Sequence, residues 1–326
     1  MAGVSVGRLA LHGSALLLGV VRSGPAADPA GYSTTHAAVG IAVHRIDAQS
    51  VREVRELGIR HIRYTLYWSL WQSSDYRRKW EEDLRRGLSA GFEPLVVVHS
   101  PPFGNFQQRE RVYLAFSRFM AARAAQFPQV HAWQLWNEMD VAFTDIFGAG
   151  HDDVSLRERG RLYGEMLRLA YPAIKQGNPR ALVVVGGIAS DVEAGFLDGL
   201  YDSRAEYDVL AIHTYGFPLL LQFQRRGQET RRIMARHHDR RPLWNTEFGQ
   251  ERAVIPDHQH LTDAQTESEQ LRAWRSVVEA NARQHLYDRM YGYVLAEGQD
   301  LGFGLVRQDG SVRPAYLWLK EWLHQR

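Results

Sequence analysis

Two glutamates stand at the ends of short apolar runs, where a side chain can reach out of a folded core. Glu138 follows Asn137 directly after the run 131–136, and Glu247 closes the run 242–248. A carboxylic acid on one side of a bond and a carboxylate on the other can act as proton donor and nucleophile. Cleavage of a glycosidic bond with retention of configuration needs such a pair about 5 Å apart. The two glutamates are therefore the first candidates for catalysis.

Further side chains that bind or react stand at the ends of other apolar runs. They are Trp68, His99, His213, Tyr215 and Glu297. A polar residue at the end of a strand is often no more than a solvated cap. Two glutamates with several hydrogen-bonding partners nevertheless favour a common site, provided that the fold brings the ends of these runs together.

The elements that must position these residues follow a regular pattern. Eight apolar runs rich in β-branched residues alternate with longer amphipathic stretches, as in βα units around a parallel sheet. Between the runs, the stretches 48–58 and 111–127 repeat apolar residues at helical spacing. Eight such units in 326 residues predict an α/β fold, a single-domain (β/α)8 TIM barrel, with a doubly wound open sheet as the alternative. The runs are 39–43, 61–67, 94–98, 131–136, 181–186, 209–215, 242–248 and 291–296.

A barrel would gather the chemistry at one end, because the carboxyl ends of parallel strands meet at a single rim. Strands 4 and 7 lie on opposite sides of an eight-stranded barrel. Glu138 and Glu247, at the ends of those strands, can therefore reach towards a shared point from two sides. A pair on neighbouring strands would approach a substrate from one side only.

Two segments carry a resemblance to a known group of enzymes. VHAWQLWNEMD (130–140) and RPLWNTEFGQ (241–250) resemble the strand-4 Asn-Glu and strand-7 Glu motifs of clan A glycoside hydrolases, with families 5 and 39 the most similar. The resemblance implies that Glu138 is the general acid/base and Glu247 the nucleophile of a retaining mechanism. It also implies that Asn137 hydrogen-bonds the sugar 2-hydroxyl.

Other motifs extend the resemblance over most of the chain, from about residue 39 to residue 323. IRYTLYW (62–68) resembles the strand-2 motif whose arginine, here Arg63, supports the nucleophile. HTYG (213–216) resembles the strand-6 motif in which Tyr215 contacts the nucleophile and His213 lines the acceptor side. The resemblance further implies a sugar-binding role for His99, and we expect Trp68 to form a platform for a sugar ring.

The chain departs from the clan at the end of strand 8. Clan members commonly place a Trp there, but YGYVLAEGQD (291–300) has none. We expect Glu297 or a residue of a neighbouring loop to take its place, so the sugar cannot be inferred by analogy. Family 39 enzymes often carry an additional β-sandwich after the barrel, and we expect none within these residues.

Net charge and the absence of Cys limit which ligands and cofactors the protein can bind. The 39 basic and 37 acidic residues give a formal net charge of +2, without basic blocks, which argues against nucleic acid and anionic membranes. The absence of Cys excludes disulfides, a thiolate nucleophile and cysteine-ligated metal sites. We expect a carbohydrate substrate, a monomer, and no metal or organic cofactor.

The first residues resemble a secretory signal. Arg8 and His12 precede the apolar run Ala15–Val21, which small residues follow up to a cleavage site near Ala27. This predicts a signal peptide or disordered N-terminus over 1–29, a catalytic domain over 30–326, and a secreted or periplasmic protein. The run is too short to span a bilayer, and no later stretch is a candidate span. A misplaced initiation codon would also explain the segment.

Three other functions compete with hydrolysis by the glutamate pair. A metal-dependent barrel hydrolase would use His44, His99, His213 and a carboxylate, but it leaves Asn137 beside Glu138 unexplained. A carbohydrate-binding barrel without activity would not need both glutamates. A transglycosylase shares the covalent intermediate, and nothing in the sequence separates it from a hydrolase.

Overall fold

The computed structural model of the protein describes residues 38–99, 106–142, 153–298 and 302–325. They all belong to one compact unit that spans Thr34–Arg326. The predicted signal segment 1–29 and the predicted start of the domain at residue 30 lie outside the described residues. Both remain predictions.

Within the described residues, eight strands alternate with eight α-helices. The strands are β1 (Ala38–Val43), β2 (His61–Tyr67), β3 (Glu93–His99), β4 (Ala132–Leu135), β5 (Leu182–Val184), β6 (Leu210–Thr214), β7 (Leu243–Phe248) and β8 (Arg289–Gly292). The helices are α1 (Ala48–Leu57), α2 (Ser74–Ser89), α3 (Arg109–Gln126), α4 (Leu156–Gly177), α5 (Phe196–Asp202), α6 (Leu219–Arg236), α7 (Asp263–Gln284) and α8 (Pro314–His324).

The sheet closes into a barrel. All seven neighbouring pairs are parallel, in the order β5-β4-β3-β2-β1-β8-β7-β6. Single bridges from Val184 to Val209 and from Ile188 to Ile212 then join β5 to β6. The predicted (β/α)8 TIM barrel is therefore confirmed, and the open sheet is excluded.

Strand alternation separates two environments. On β2, Ile62, Tyr64 and Leu66 point outwards into the apolar layer between sheet and helices, where each is at most 5% exposed. Arg63, between them, points into the barrel. Tyr291 fills the interior towards the base, where a Cβ on Gly40 would lie only 2.5 Å from its ring. A side chain at position 40 would therefore displace that ring.

The eighth strand begins and ends earlier than predicted, at Arg289–Gly292 instead of 291–296. Beyond Gly292 the chain still runs beside β1, because the Leu295 N–H donates to the Ala42 carbonyl at 3.0 Å. The part of the predicted run that follows Gly292 therefore packs against the barrel wall without regular strand pairing. No helix in the described part of the chain is both long and apolar enough to cross a membrane.

Candidate active site

Glu247 lies at the end of β7 and is held by two donors. Arg63 approaches its Oε1 at 2.6 Å, and the Tyr215 hydroxyl donates to its Oε2. Burial by itself raises the pKa of this carboxyl, but Arg63, His213 and the Tyr215 hydroxyl outweigh it. The pKa of Glu247 therefore lies below the ordinary glutamate value, and the group is a carboxylate at neutral pH.

Glu138 follows β4 on an unusual stretch of backbone. Trp136 and Glu138 both adopt left-handed conformations, with φ of 73° and 51°. Such residues cost about 1–3 kcal/mol each and persist only where the surroundings hold them. Here the Glu138 N–H donates to the Gly186 carbonyl at 2.7 Å, and the Trp136 N–H donates to Val98 at 2.8 Å. The barrel therefore imposes this conformation through neighbouring strands.

The two carboxyl groups are close but differ in their surroundings. Carboxylate oxygens of Glu138 and Glu247 lie within 4.8 Å of each other, with a ring nitrogen of His213 inside the same limit. The Glu138 side chain is 25% exposed, whereas that of Glu247 is 10% exposed. An oxygen–oxygen distance below 4.8 Å is expected for a nucleophile and an acid/base whose carboxyl groups are about 5–5.5 Å apart, and it is shorter than the gap of about 6.5–9.5 Å that leaves room for a water molecule.

Arg63 connects three strands across the barrel. From β2, its guanidinium donates to Asn137 Oδ1 at 2.7 Å and to Gln134 Oε1 at 3.3 Å, in addition to the contact with Glu247. Because Oδ1 of Asn137 accepts from Arg63, its Nδ2 is the atom that can donate to a ligand. One buried cation thus fixes the carboxylate and the amide relative to each other.

His213 lies between the two glutamates. Its Nδ1 is 2.6 Å from Glu138 Oε1 and 3.7 Å from Glu247 Oε2. The side chain is fully buried, and Nε2 has no hydrogen-bond partner among the described residues. A Cβ on Gly187 would lie 2.1 Å from that Nε2, so the chain passes directly against the ring. His213 thus contacts Glu138 directly, and its expected place on the acceptor side stays a prediction.

Two cavities meet at the site. The larger, about 890 Å³, is lined by Arg63, His99 and Asn137. The smaller, about 450 Å³, is lined by residues that include Glu138, Tyr215, Tyr293 and Phe303. Glu247 and Tyr293 line both cavities. A ligand that spans the two would therefore pass directly over the carboxylate pair.

Of two binding residues predicted from the sequence, His99 lines a cavity and Trp68 does not. His99 lines the larger cavity, and burial together with the nearby Arg63 charge lowers its pKa to about 4, so the imidazole is neutral. Trp68 instead packs against the Phe116 and Phe119 rings at centroid distances of 5.3 and 5.9 Å, in the layer between sheet and helices. The structure places Tyr67, not Trp68, on the cavity wall. Tyr67 and Arg63 lie on the same face of β2, which points into the barrel.

At the end of strand 8, Glu297 is engaged in the loop itself. Its carboxylate pairs with Arg313 at 2.7 Å and accepts from the Gly302 N–H. Tyr293 is the aromatic residue of this segment that lines both cavities, and its ring meets those of Tyr215 and Phe303 edge to face. Glu297 also lines the larger cavity, so its expected place at this subsite stays a prediction, and Tyr293 is a second candidate.

Two buried charged residues escaped the sequence analysis. Asp140 Oδ2 accepts from the N–H groups of Ala189 and Ser190, at 2.9 and 2.5 Å. Arg226, on α6, donates to the carbonyls of Ile188, Ser190 and His213 at 2.8–2.9 Å. Together they fix the loop after β5 against the backbone of His213. Asp140 stands two residues after Glu138, and this proximity to a candidate catalytic residue could have identified it from the sequence. Nothing in the sequence indicated a role for Arg226, which lies on a helix.

The residues do not fit the metal-site hypothesis well. Among the described residues, the group of His, Asp and Glu side chains close enough to bind a metal is Glu138, His213 and Glu247. It contains neither His44 nor His99. Arg63 and Tyr215 already engage both oxygens of Glu247, so a positive charge stands beside the carboxylate that a metal would need.

The sequence matches no protein-family model, and no curated protein is significantly similar to it. The fold is similar to that of a β-glucosidase from Thermotoga maritima in complex with deoxynojirimycin, at a TM-score of 0.59, 10% identity and 85% coverage of each chain. A β-galactosidase from the psychrophilic Marinomonas ef1 matches at a TM-score of 0.60 and 12% identity, over 88% of this chain and 59% of that chain. At these identities the similarity establishes the fold.

Proposed function

We propose that this protein is a retaining glycoside hydrolase, with Glu138 as general acid/base and Glu247 as nucleophile. One observation carries the proposal: two carboxyl groups within 4.8 Å of each other at the rim of a barrel, one of them held ionised by a buried arginine. Two carboxyl groups in such different surroundings can hold different protonation states at one pH.

In the first step, Glu247 attacks the anomeric carbon and forms a glycosyl ester. The bond between that carbon and the leaving oxygen breaks, and Glu138 gives its proton to this oxygen. The positive charge that develops on the sugar ring lies between the two carboxyl groups. Arg63 and Tyr215 keep Glu247 ionised and oriented before the attack.

In the second step, the roles of Glu138 reverse. As a carboxylate it removes a proton from a water molecule, whose oxygen bonds to the anomeric carbon while the ester bond to Glu247 breaks. His213 Nδ1, at 2.6 Å from Glu138, can donate to this carboxylate and hold it in place between the steps. Two inversions at one carbon give net retention.

The cavity residues supply the binding contacts of this proposal. Asn137 presents its Nδ2 to a sugar hydroxyl, which we take to be the 2-hydroxyl. His99 is neutral and can exchange hydrogen bonds with a further hydroxyl, and the half-exposed Tyr67 ring can lie against a sugar face. A β-linked substrate is supported by the β-glucosidase and β-galactosidase structures of similar fold. Assignment to clan A, and within it to family 5 or 39, belongs to the same proposal, as does secretion.

The test is a screen of aryl β-glycosides and β-linked polysaccharides, with NMR detection of the first product anomer. We expect the wild type to release the β-anomer and Glu247→Ala to lose activity, while the exposed control Glu193→Gln keeps it. Release of the α-anomer, or full activity of Glu247→Gln, contradicts the proposal.

Azide distinguishes the two roles. Added to Glu247→Ala, azide should occupy the vacated space and yield the α-glycosyl azide, because one inversion replaces two. Added to Glu138→Ala with an activated aryl glycoside, it should attack the glycosyl ester and yield the β-glycosyl azide. Interchanged products would exchange the two assignments.

A further inference from the structure

The two cavities that meet at Glu247 lie on chemically distinct sides of the catalytic pair. Glu138 lines the smaller cavity and is not among the residues that line the larger one. In the proposed mechanism its proton goes to the leaving oxygen, so the leaving group must depart on the side of Glu138. The smaller cavity is therefore the leaving-group side, and the larger one, with Arg63 and Asn137, holds the sugar that becomes bound to the enzyme.

The walls of the two cavities differ in polarity. Most of the side chains that line the larger one form hydrogen bonds; they include Arg45, Asp47, Gln49, Arg63, His99 and Asn137. The smaller one is formed by Tyr215, Tyr293, Phe303, Val254, Ala189 and two glycines. Apart from the catalytic pair, Glu251 is the one further charged side chain among the described residues that line it. The Tyr215 hydroxyl is already committed to Glu247.

The apolar wall is built by close packing. A Cβ on Gly249 would lie 3.0 Å from Phe303 Cδ1, so the glycine allows the ring to approach the end of β7. The Phe303 ring meets Tyr215 and Tyr293 edge to face, at centroid distances of 5.6 and 5.5 Å. Val254 completes the wall and is 39% exposed. The three rings thus form one continuous aromatic surface.

We propose that the smaller cavity is a subsite for an apolar leaving group, an aryl or alkyl alcohol and not a second sugar. This inference rests on the proposed function. A sugar ring would bring several hydroxyl groups to a wall with few partners, and each would lose hydrogen bonds to water without replacement. An aryl or alkyl group would instead bury apolar surface against the rings and Val254. The volume of about 450 Å³ is within the range of small-molecule sites.

The experiment compares two β-glycosides of the sugar that the aryl-glycoside screen identifies. One carries a methyl and the other a 2-phenylethyl leaving group, because both are alkyl alcohols and differ mainly in apolar surface. For the wild type we expect kcat/KM to be roughly tenfold or more higher for the 2-phenylethyl glycoside. Val254→Asn should reduce that ratio several-fold, whereas Leu221→Asn, at a 57% exposed position that lines neither cavity, should leave it unchanged.

Failure of the inference and failure of the function give different results. Cleavage of both glycosides at equal kcat/KM overturns the apolar subsite and leaves the hydrolase intact. So does a ratio that Val254→Asn does not change, or faster cleavage of a disaccharide with the same non-reducing sugar. A wild type that cleaves no glycoside in the screen refutes the proposed function, and with it the assignment of a leaving-group side.

Discussion

Replacement of Arg63 by methionine tests the electrostatic basis of the site. Arg63 is 5% exposed, and its removal leaves Glu247 without its cation and Asn137 Oδ1 without its donor. Removing one partner of a buried ion pair costs about 3–5 kcal/mol. At about 2–4 °C per kcal/mol, the range for large domains, we expect Arg63→Met to lower the melting temperature by roughly 6–20 °C at neutral pH.

The pH dependence has a definite sign. The pKa of Glu247 is lowered in the folded protein, so its stabilising contribution is present above the unfolded pKa and is lost as the pH falls through the folded pKa. In Arg63→Met, burial prevails and the carboxyl accepts a proton at higher pH. The difference in melting temperature between variant and wild type should therefore be largest near pH 7 and shrink towards about pH 4.

Activity gives a second measurement on the same variant. The acidic limb of the kcat/KM profile reports the group that must be ionised in the free enzyme. We expect this limb to move to higher pH in Arg63→Met and to stay in place in Arg63→Lys, which keeps the charge and weakens the contacts to Asn137 and Gln134. Arg289→Met is a matched control, because this arginine is also 5% exposed and lies at the opposite end of the barrel, over Trp244. An unmoved limb in Arg63→Met, or a melting difference independent of pH, would refute the reasoning.

Three further predictions concern single contacts. Tyr215→Phe removes the hydroxyl that donates to Glu247 and should lower kcat/KM about 10- to 150-fold in steady-state assays, the equivalent of about 1.5–3 kcal/mol. The melting temperature of this variant should stay within a few degrees of the wild-type value. Asp140→Asn weakens the two hydrogen bonds from the N–H groups of Ala189 and Ser190 and should lower kcat more than it raises KM. An unchanged kcat would show that Asp140 does not position the site. The pKa of His99 is about 4, so His99→Gln should raise KM without moving either limb of the pH–rate profile between about pH 5 and pH 8. Loss of one limb of that profile in the variant would show that His99 titrates in this range.

The sequence predicts the barrel and the catalytic pair for one physical reason. Parallel strands buried on both faces must be continuous apolar runs, and the residue that follows each run must lie at the rim. That rule places Glu138 and Glu247 at the rim before any knowledge of their side-chain contacts, whereas the roles assigned to them come from the resemblance to clan A. The rule is less useful for β8, where apolar residues after Gly292 pack against the barrel without strand pairing.

The features of the candidate site that could not be predicted from the sequence depend on side-chain contacts. The choice between Tyr67 and Trp68 depends on strand parity, and counting by two from Arg63 would have placed Tyr67 inside the barrel. No such count could have found the partner of Glu297, because Arg313 comes from a segment whose path depends on the whole fold. The same holds for Arg226, which reaches the backbone of His213 from a helix that otherwise follows an ordinary amphipathic pattern.

The left-handed backbone at Trp136 and Glu138 has a consequence for the order of events on heating. The loop after β4 does not favour this conformation by itself and depends on hydrogen bonds to Gly186 and Val98. When thermal motion loosens those two neighbours, we expect the Glu138 side chain to lose its position while most of the barrel is still intact. We expect the proposed hydrolase activity to be lost several degrees below the temperature at which the circular dichroism signal of the protein melts, and to return on cooling from that interval.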